Sequence, residues 1–162
     1  MPPHRFALPF VCVLASIIFL PGTLCAQSEV PGVGTWKLNV KKSKLGDEKP
    51  PQSLTSTIEA VDGHARVIGV RIDSDGIRTE SRFKAKLDGK DYPIVGHSYA
   101  DTIALKRIDA RTIERVDKKA GKIVETSLTV YSEDGKSSTT TGKASNYRGE
   151  NFLYIVVNEK MP

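Results

Sequence analysis

Apolar and polar residues alternate with a period of two along most of this chain after residue 53. Residues 77–87 show the pattern most clearly, because every charged side chain falls at an even position and the apolar ones fall at odd positions. Successive side chains of a β-strand point to opposite faces, so this alternation predicts a strand with one buried face and one wet face. No stretch beyond residue 26 shows helical periodicity longer than two turns.

Four Asp-Gly pairs interrupt the alternation. They are Asp62-Gly63, Asp75-Gly76, Asp88-Gly89 and Asp134-Gly135. Asp-Gly favours tight hairpins because both central residues must adopt a positive φ, which Gly does freely and Asp tolerates. The first three pairs recur every 13 residues, and this spacing indicates an antiparallel meander.

The segments between these turns are predicted to be strands. They cover residues 35–40, 53–61, 64–73, 77–87, 91–95, 101–109, 111–118, 122–132, 136–147 and 151–160. Their short connections leave little room for the long crossovers of a sandwich, and a closed barrel removes exposed sheet edges. We therefore predict an all-β fold, an antiparallel up-and-down β-barrel of about eight to ten strands. It forms one domain over residues 35–162, after a short lead-in at 27–34.

The strand at residues 136–147 carries small polar side chains on both of its faces. A barrel interior lined by Ser, Thr and Ala leaves more space than one lined by Leu and Phe, so a cavity for one small ligand is predicted. The alternative is that this strand turns its Ser and Thr residues to water and simply has high β propensity. Glu114 and Glu125 alternate with apolar residues, and we expect both to face solvent.

Residues 1–26 are predicted to be a signal peptide. Arg5 precedes an apolar run at residues 6–20, which is shorter than the roughly 20 residues of a membrane-spanning helix. Ala26 is the expected cleavage position. We therefore expect an exported protein, periplasmic or extracellular, without integral membrane association once the signal is removed.

Both cysteines, Cys12 and Cys25, lie within the predicted signal peptide. The mature chain would then contain no disulfide, no thiolate nucleophile and no cysteine-based metal site. Lipid anchoring at Cys25 is the alternative, although Leu24 is bulky for the position before a lipid-modified cysteine. The stability of the exported chain must come from its core.

The chain is mildly basic, with 24 Lys and Arg residues against 19 Asp and Glu residues. The densest lysines are Lys41, Lys42, Lys44, Lys118, Lys119 and Lys122. Nucleic-acid binders concentrate basic residues on one face beside stacking aromatic residues, and that combination is missing here, so we expect no nucleic-acid partner. The lysine clusters leave open an attraction to a partner protein or an acidic cell surface.

The densest collection of chemically versatile side chains lies at residues 91–101, between two predicted strands at one rim of the barrel. The candidate ligand-binding residues are Tyr92, His97, Tyr99 and Asp101. Their hydroxyl, imidazole and carboxylate groups suit the polar end of a ligand, whereas a role in shaping the turn is the structural alternative. His97 with Asp101 is also the acid–base pair of the enzymatic alternative.

Only His64 and His97 follow the predicted signal peptide, and neither stands in a metal-ligand spacing. The glycines at 32 and 34 precede a strand, whereas a dinucleotide-binding loop lies between a strand and a helix. We therefore expect no metal and no cofactor.

Gly34, Thr35 and Trp36 open the first predicted strand. A Gly-x-Trp at this place in an all-β meander resembles the lipocalin and wider calycin pattern. The segments GTWKLNVKKSKL, DGKDYPIVG, DTIALKRID and KKAGK are also similar to a group of exported bacterial proteins described as lipocalin-like. The resemblance implies structural roles for Gly34, which permits close approach of the chain, and for Trp36, which plugs one end of the barrel. The family stacks an Arg from the last strand on this Trp, and the last strand here offers Lys160.

These observations favour a non-enzymatic binding protein. The expected function is binding of a small, largely apolar ligand in the barrel interior. The sequence leaves the oligomeric state open, and a monomer is favoured. The alternative is a packed barrel that binds a partner protein or a cell surface through its basic outer face.

Overall fold

The computed structural model describes residues 30–46, 49–145 and 149–162. The predicted signal peptide lies outside these residues. Within them the chain forms ten strands and one 3₁₀ helix, Val40–Lys42. The strands are β1 (Gly34–Leu38), β2 (Ser53–Val61), β3 (His64–Ile72), β4 (Arg78–Ala85), β5 (Asp88–Val95), β6 (Thr102–Arg107), β7 (Thr112–Lys119), β8 (Lys122–Tyr131), β9 (Ser137–Ser145) and β10 (Asn151–Lys160).

The ten strands form one closed antiparallel barrel, in which each strand pairs with its neighbours in sequence and β1 pairs with β10. The predicted all-β fold, the up-and-down barrel and the strand number are therefore confirmed. Closure begins with three residue pairs, from Trp36–Lys160 to Leu38–Asn158. Lys44, in the β1–β2 connection, then pairs with Ile155 through two N–H···O bonds of 2.7 Å. The connection thus continues the closing edge beyond the end of β1.

Because consecutive strands run in opposite directions, the connections fall at two ends of the barrel. The end where β1 begins, called here the Trp36 end, also carries the β2–β3, β4–β5, β6–β7 and β8–β9 turns. The far end carries the β1–β2, β3–β4, β5–β6, β7–β8 and β9–β10 connections.

The Asp-Gly pairs mark chain reversals. Asp62 and Gly63 have φ values of 51° and 70°, as a two-residue hairpin turn with positive φ at both positions requires. At the β4–β5 reversal, Asp88 differs from the prediction because it is already paired with Lys106 and therefore belongs to β5. Gly89, with a φ of 77°, supplies the bend at this point.

The alternation in β4 separates buried from exposed residues only in the half nearest the Trp36 end. Ala85 is fully buried and Phe83 packs on the core, but Ile77 is 61% exposed. The β4–β5 ladder contains only the pairs formed by Arg82 and Phe83, so the rest of β4 has a ladder partner in β3 alone. Ile77, which directly precedes β4, therefore remains mostly exposed.

The core cluster fills one side of the barrel interior with aliphatic side chains. Its buried members are Val30, Ala65, Ala85, Ile94, Ala100, Ile103, Leu105 and Ile113. Val30 precedes β1, so the lead-in packs into the barrel. Removal of this apolar surface from water, at roughly 25 cal/mol per Å², is the main driving force for closing the sheet.

The polar face of β8 points into the barrel. Ser127 is buried, whereas Leu128 and Val130 are 42% and 41% exposed on the outer surface. Ser127 stands opposite Arg115 of β7 and Gly142 of β9 in the two ladders. The interior of the barrel therefore has a polar sector beside the aliphatic core.

The β7–β8 turn contains a strained residue that offers a test of the fold. Ala120 has a φ of 48°, in the left-handed region that costs an ordinary residue about 1–2 kcal/mol. We expect Ala120→Asn to raise the free energy of unfolding by about 1 kcal/mol, because Asn tolerates this conformation and suits the first position of such a turn. Urea denaturation measures the change.

The matched control is Ala110→Asn, an exposed alanine in the β6–β7 connection that is not in the left-handed region. An equal gain from both variants would show that the effect comes from Asn itself and would contradict the assignment to turn strain.

Candidate ligand-binding cavity

A cavity of about 170 Å³ lies inside the barrel. Its apolar lining consists of Val30, Pro31, Trp36, Ile58, Ala65, Val67, Phe83, Leu87, Leu105 and Ile113. An apolar cavity of roughly 150 Å³ accepts benzene, whereas pockets for drug-sized ligands span about 300–1,000 Å³. The space in this barrel therefore suits a compact molecule.

Trp36 forms the floor of the cavity at the Trp36 end. Its ring is 3% exposed and lies 5.3 Å, centroid to centroid, from the ring of Tyr131. The indole Nε1 donates a hydrogen bond of 2.7 Å to the carbonyl oxygen of Gly32 in the lead-in. Burial raises the pKa of Tyr131 to about 12, so its hydroxyl stays protonated at neutral pH. The lead-in and two aromatic rings thus close this end.

Lys160 covers the outer side of the same ring. Its Nζ lies 5.6 Å from the Trp36 ring centroid, within the range of a cation–π contact. A Cβ placed on Gly34 would lie 2.5 Å from the Lys160 Cε, so the glycine allows this side chain to cross β1. A lysine here occupies the place at which the resemblance implies an arginine. Trp36 also lines the cavity and would touch any molecule within it.

Small polar side chains form another part of the lining. They are Ser56, Thr129, Ser138, Thr140 and Asn158. The hydroxyls of Thr129 and Thr140 are 2.8 Å apart, and Ser138 is only 4% exposed. β9 therefore turns Ser138 and Thr140 inward, where their small size leaves the space that the composition of this strand predicts.

Arg115 and Asp117 bring a charged pair into the barrel. The Nε and Nη2 atoms of Arg115 donate hydrogen bonds of 2.8 and 2.5 Å to the two carboxylate oxygens of Asp117, which is completely buried. Burial opposes the charge of Arg115, but the charge and hydrogen bonds of Asp117 outweigh it and raise the arginine pKa. Arg115 is also one of the residues that line the cavity, and 29% of its side-chain surface remains accessible.

Tyr154 and Glu125 extend this polar group. The Tyr154 hydroxyl donates to the Glu125 Oε1 at 2.5 Å, and burial followed by the nearby Glu125 charge raises the tyrosine pKa. A Cβ on Gly142 would overlap the Tyr154 ring, so the glycine makes room for it. The expectation that Glu125 faces solvent is wrong, because Glu125 stands opposite the buried Asp117 on the inward face of β8. Glu114 is exposed, as expected.

The predicted site residues fall into two places. Tyr92 packs against the core, and its hydroxyl donates a hydrogen bond of 3.0 Å to Asp88 near the Trp36 end. His97, Tyr99 and Asp101 lie together in the β5–β6 connection at the far end. None of the four is among the residues that line the cavity.

The far-end residues are engaged mainly with one another and with the neighbouring turn. The His97 and Tyr99 rings are 6.3 Å apart, edge to face, and the Tyr99 N–H donates to the His97 Nδ1 at 3.4 Å. The Asp101 carboxylate accepts the Ala120 N–H at 2.8 Å and so ties the β5–β6 connection to the β7–β8 turn. This contact gives Asp101 a structural role in holding the two connections together.

His97 is half-buried above the charged group. Its pKa is lowered, first by burial and next by the charge of Arg115, with Lys119 adding to the effect. The charges of Asp117 and Glu125 act in the opposite direction and are outweighed. His97 is therefore held in its neutral form near pH 7, which agrees with an Nδ1 that accepts a hydrogen bond.

Reasoning from the sequence missed Arg115, Asp117 and Tyr154 as residues of the interior. A usable signal was present in β7, where Ile113, Arg115 and Asp117 alternate and must share one face of the strand. Two charges of opposite sign on the same face as a core isoleucine indicate a buried ion pair.

Removal of Arg115 alone should destabilise the barrel. We expect Arg115→Met to lower the free energy of unfolding by about 3–5 kcal/mol, because it leaves the buried Asp117 carboxylate without its partner. The double variant Arg115→Met/Asp117→Leu should recover most of this loss, since no buried charge then remains unpaired. Chemical denaturation of the three proteins measures the difference. Equal stability of the single and double variants would argue against a buried pair.

Stability should also depend on the protonation of His97. A histidine whose pKa is lowered by folding binds a proton more readily in the unfolded chain, so the free energy of unfolding should fall as pH drops below about 6.5. We expect His97→Gln to flatten this part of the curve, measured by urea denaturation across the pH range. A His64→Gln variant is the matched control, and the same flattening there would contradict the assignment to His97.

Within the described parts of the chain, no group of three or more metal-binding side chains occurs, and no helix is long and apolar enough to cross a membrane. Comparison of the chain with family models, with curated proteins and with solved structures found no match. The chain is therefore characterised by its architecture, a closed ten-stranded antiparallel barrel that is compatible with a calycin-like fold.

Proposed function

We propose that this protein binds a small, largely apolar molecule in the interior of its barrel. The cavity between Trp36 and Arg115 carries the proposal, because it combines a mostly apolar lining with one charged group. Burial of apolar surface would supply most of the binding free energy, and the polar groups would orient the ligand.

The size of the cavity limits the ligand. A barrel of ten strands encloses more interior than one of eight, but large side chains such as Trp36, Phe83 and Tyr131 project into this one. The remaining volume of about 170 Å³ favours a molecule of one ring or of comparable bulk over a long acyl chain. With the export signal predicted for residues 1–26, this activity would lie in the periplasm or outside the cell.

Binding can be tested with cumene, an uncharged one-ring hydrocarbon. We expect it to raise the melting temperature of the protein in a concentration-dependent way, because a molecule that binds only the folded state stabilises that state by mass action. Isothermal titration calorimetry should give saturable binding with a negative heat-capacity change.

Ser56→Leu should abolish this binding, since it fills the cavity from β2. Thr55→Leu is the matched control, because it places the same side chain on the same strand but on the opposite face. The proposal fails if cumene does not bind the unmodified protein, or if the two leucine variants bind it equally.

A second candidate function is binding of an acidic surface or partner protein. The two lysine clusters are far apart in sequence: one lies in the β1–β2 connection, where Lys44 pairs with Ile155 midway along β10, and the other lies at the β7–β8 turn of the far end. Lys42 and Lys118 are engaged in ion pairs with Glu159 and Asp91. Binding to vesicles rich in anionic lipid that weakens steeply with salt would support this function.

A further inference from the structure

Arg115 has hydrogen-bond donors that the protein leaves unused. A guanidinium carries five N–H groups, and Arg115 gives two of them to Asp117. The other three have no acceptor among the residues that the structure describes, although the side chain lines the cavity. The side chain is 29% exposed, and a charged donor beside a mostly apolar cavity with no acceptor among these residues favours an acceptor supplied by a ligand.

Ser127 is a polar neighbour of Arg115. It stands directly opposite Arg115 in the β7–β8 ladder and is 6% exposed. Its buried hydroxyl makes no hydrogen bond of good geometry within the described residues, but it lies close enough to the Tyr154 hydroxyl to act on the pKa of that group. Ser127 is not among the residues that line the cavity, so it makes the surroundings of Arg115 polar and does not itself contact a ligand.

The charges around Arg115 argue against an anionic ligand. Asp117 already holds the guanidinium through both of its carboxylate oxygens, and Glu125 stands opposite Asp117 in the ladder. Two carboxylates thus surround one guanidinium, and a third would meet repulsion in a region of low dielectric. A neutral acceptor such as a carbonyl oxygen gains the hydrogen bond without this repulsion.

From these contacts we propose that the ligand is a compact, uncharged molecule that carries a carbonyl or similar acceptor, which accepts hydrogen bonds from Arg115. The apolar part of the ligand would lie against Trp36 and Phe83. This inference rests on the proposed function, and it identifies which small molecules the cavity prefers.

Three one-ring compounds with equal numbers of non-hydrogen atoms separate the contribution of apolar burial from those of a neutral acceptor and of a negative charge. Acetophenone carries a neutral carbonyl, cumene replaces it with a hydrocarbon group, and benzoate replaces it with a carboxylate. Calorimetric titration of the unmodified protein should show acetophenone binding about tenfold more tightly than cumene, because one hydrogen bond to a charged donor is gained. Benzoate should bind more weakly than acetophenone.

The outcomes distinguish the two proposals. If cumene does not bind, the proposed function fails. If cumene binds but acetophenone binds no more tightly, the apolar cavity stands and the role of Arg115 is wrong. If benzoate binds most tightly, the site takes anions and the argument from Asp117 and Glu125 is wrong.

The variant Arg115→Met/Asp117→Leu tests the residue itself, because it removes both charges together. It should lose the tenfold preference for acetophenone over cumene. If the folded double variant still prefers acetophenone, Arg115 is not the hydrogen-bond donor to the ligand. The compound series on the unmodified protein still tests the proposal if this variant does not fold.

Discussion

Arg115 and Asp117 lie two residues apart on β7 and so share one face of the strand, and the complete burial of Asp117 shows that this face lies inside the barrel. Neither charge could stay inside without the other, because an unpaired ion in a region of low dielectric is strongly unfavourable. Their two hydrogen bonds, of 2.8 and 2.5 Å, fix the guanidinium at the edge of the cavity. The polar sector formed by Ser127, Glu125 and Tyr154 gathers around this pair.

Closure of the barrel creates the interior in which this charged pair is buried. β1 is only five residues long, so its pairing with β10 is extended by Lys44 and by the Asn39 N–H, which donates to the Val157 carbonyl at 2.8 Å. The lead-in then folds under the Trp36 end and places Val30 in the core. The two ends of the barrel consequently differ, one closed by Trp36 and the other crossed by the β5–β6 connection that carries His97.

Much of the fold could be predicted from the sequence, because turns and strands are specified locally. The Asp-Gly pairs define reversals through the φ values that those residues tolerate, and β2 and β10 occupy the residues predicted for them. The four residues predicted to bind a ligand do not all lie in one place. Tyr92, His97, Tyr99 and Asp101 are close together in the sequence, but Tyr92 lies near the Trp36 end while the other three lie at the far end. An eight-residue strand such as β5 spans the distance between the two ends, so neighbours in sequence need not share a site.

The sequence by itself determined the strand content, the turns, the antiparallel order and the place of Trp36 on the first strand, since each depends on a few adjacent residues. Only the tertiary structure decided which face of β8 lies inside. The apolar pattern favours Leu128 and Val130, yet the pairing of β8 with β7 and β9 turns Ser127 and Thr129 inward. The reason is that the register of a closed sheet fixes the facing of every strand at once, so a buried Arg115 on one strand requires polar neighbours on the next.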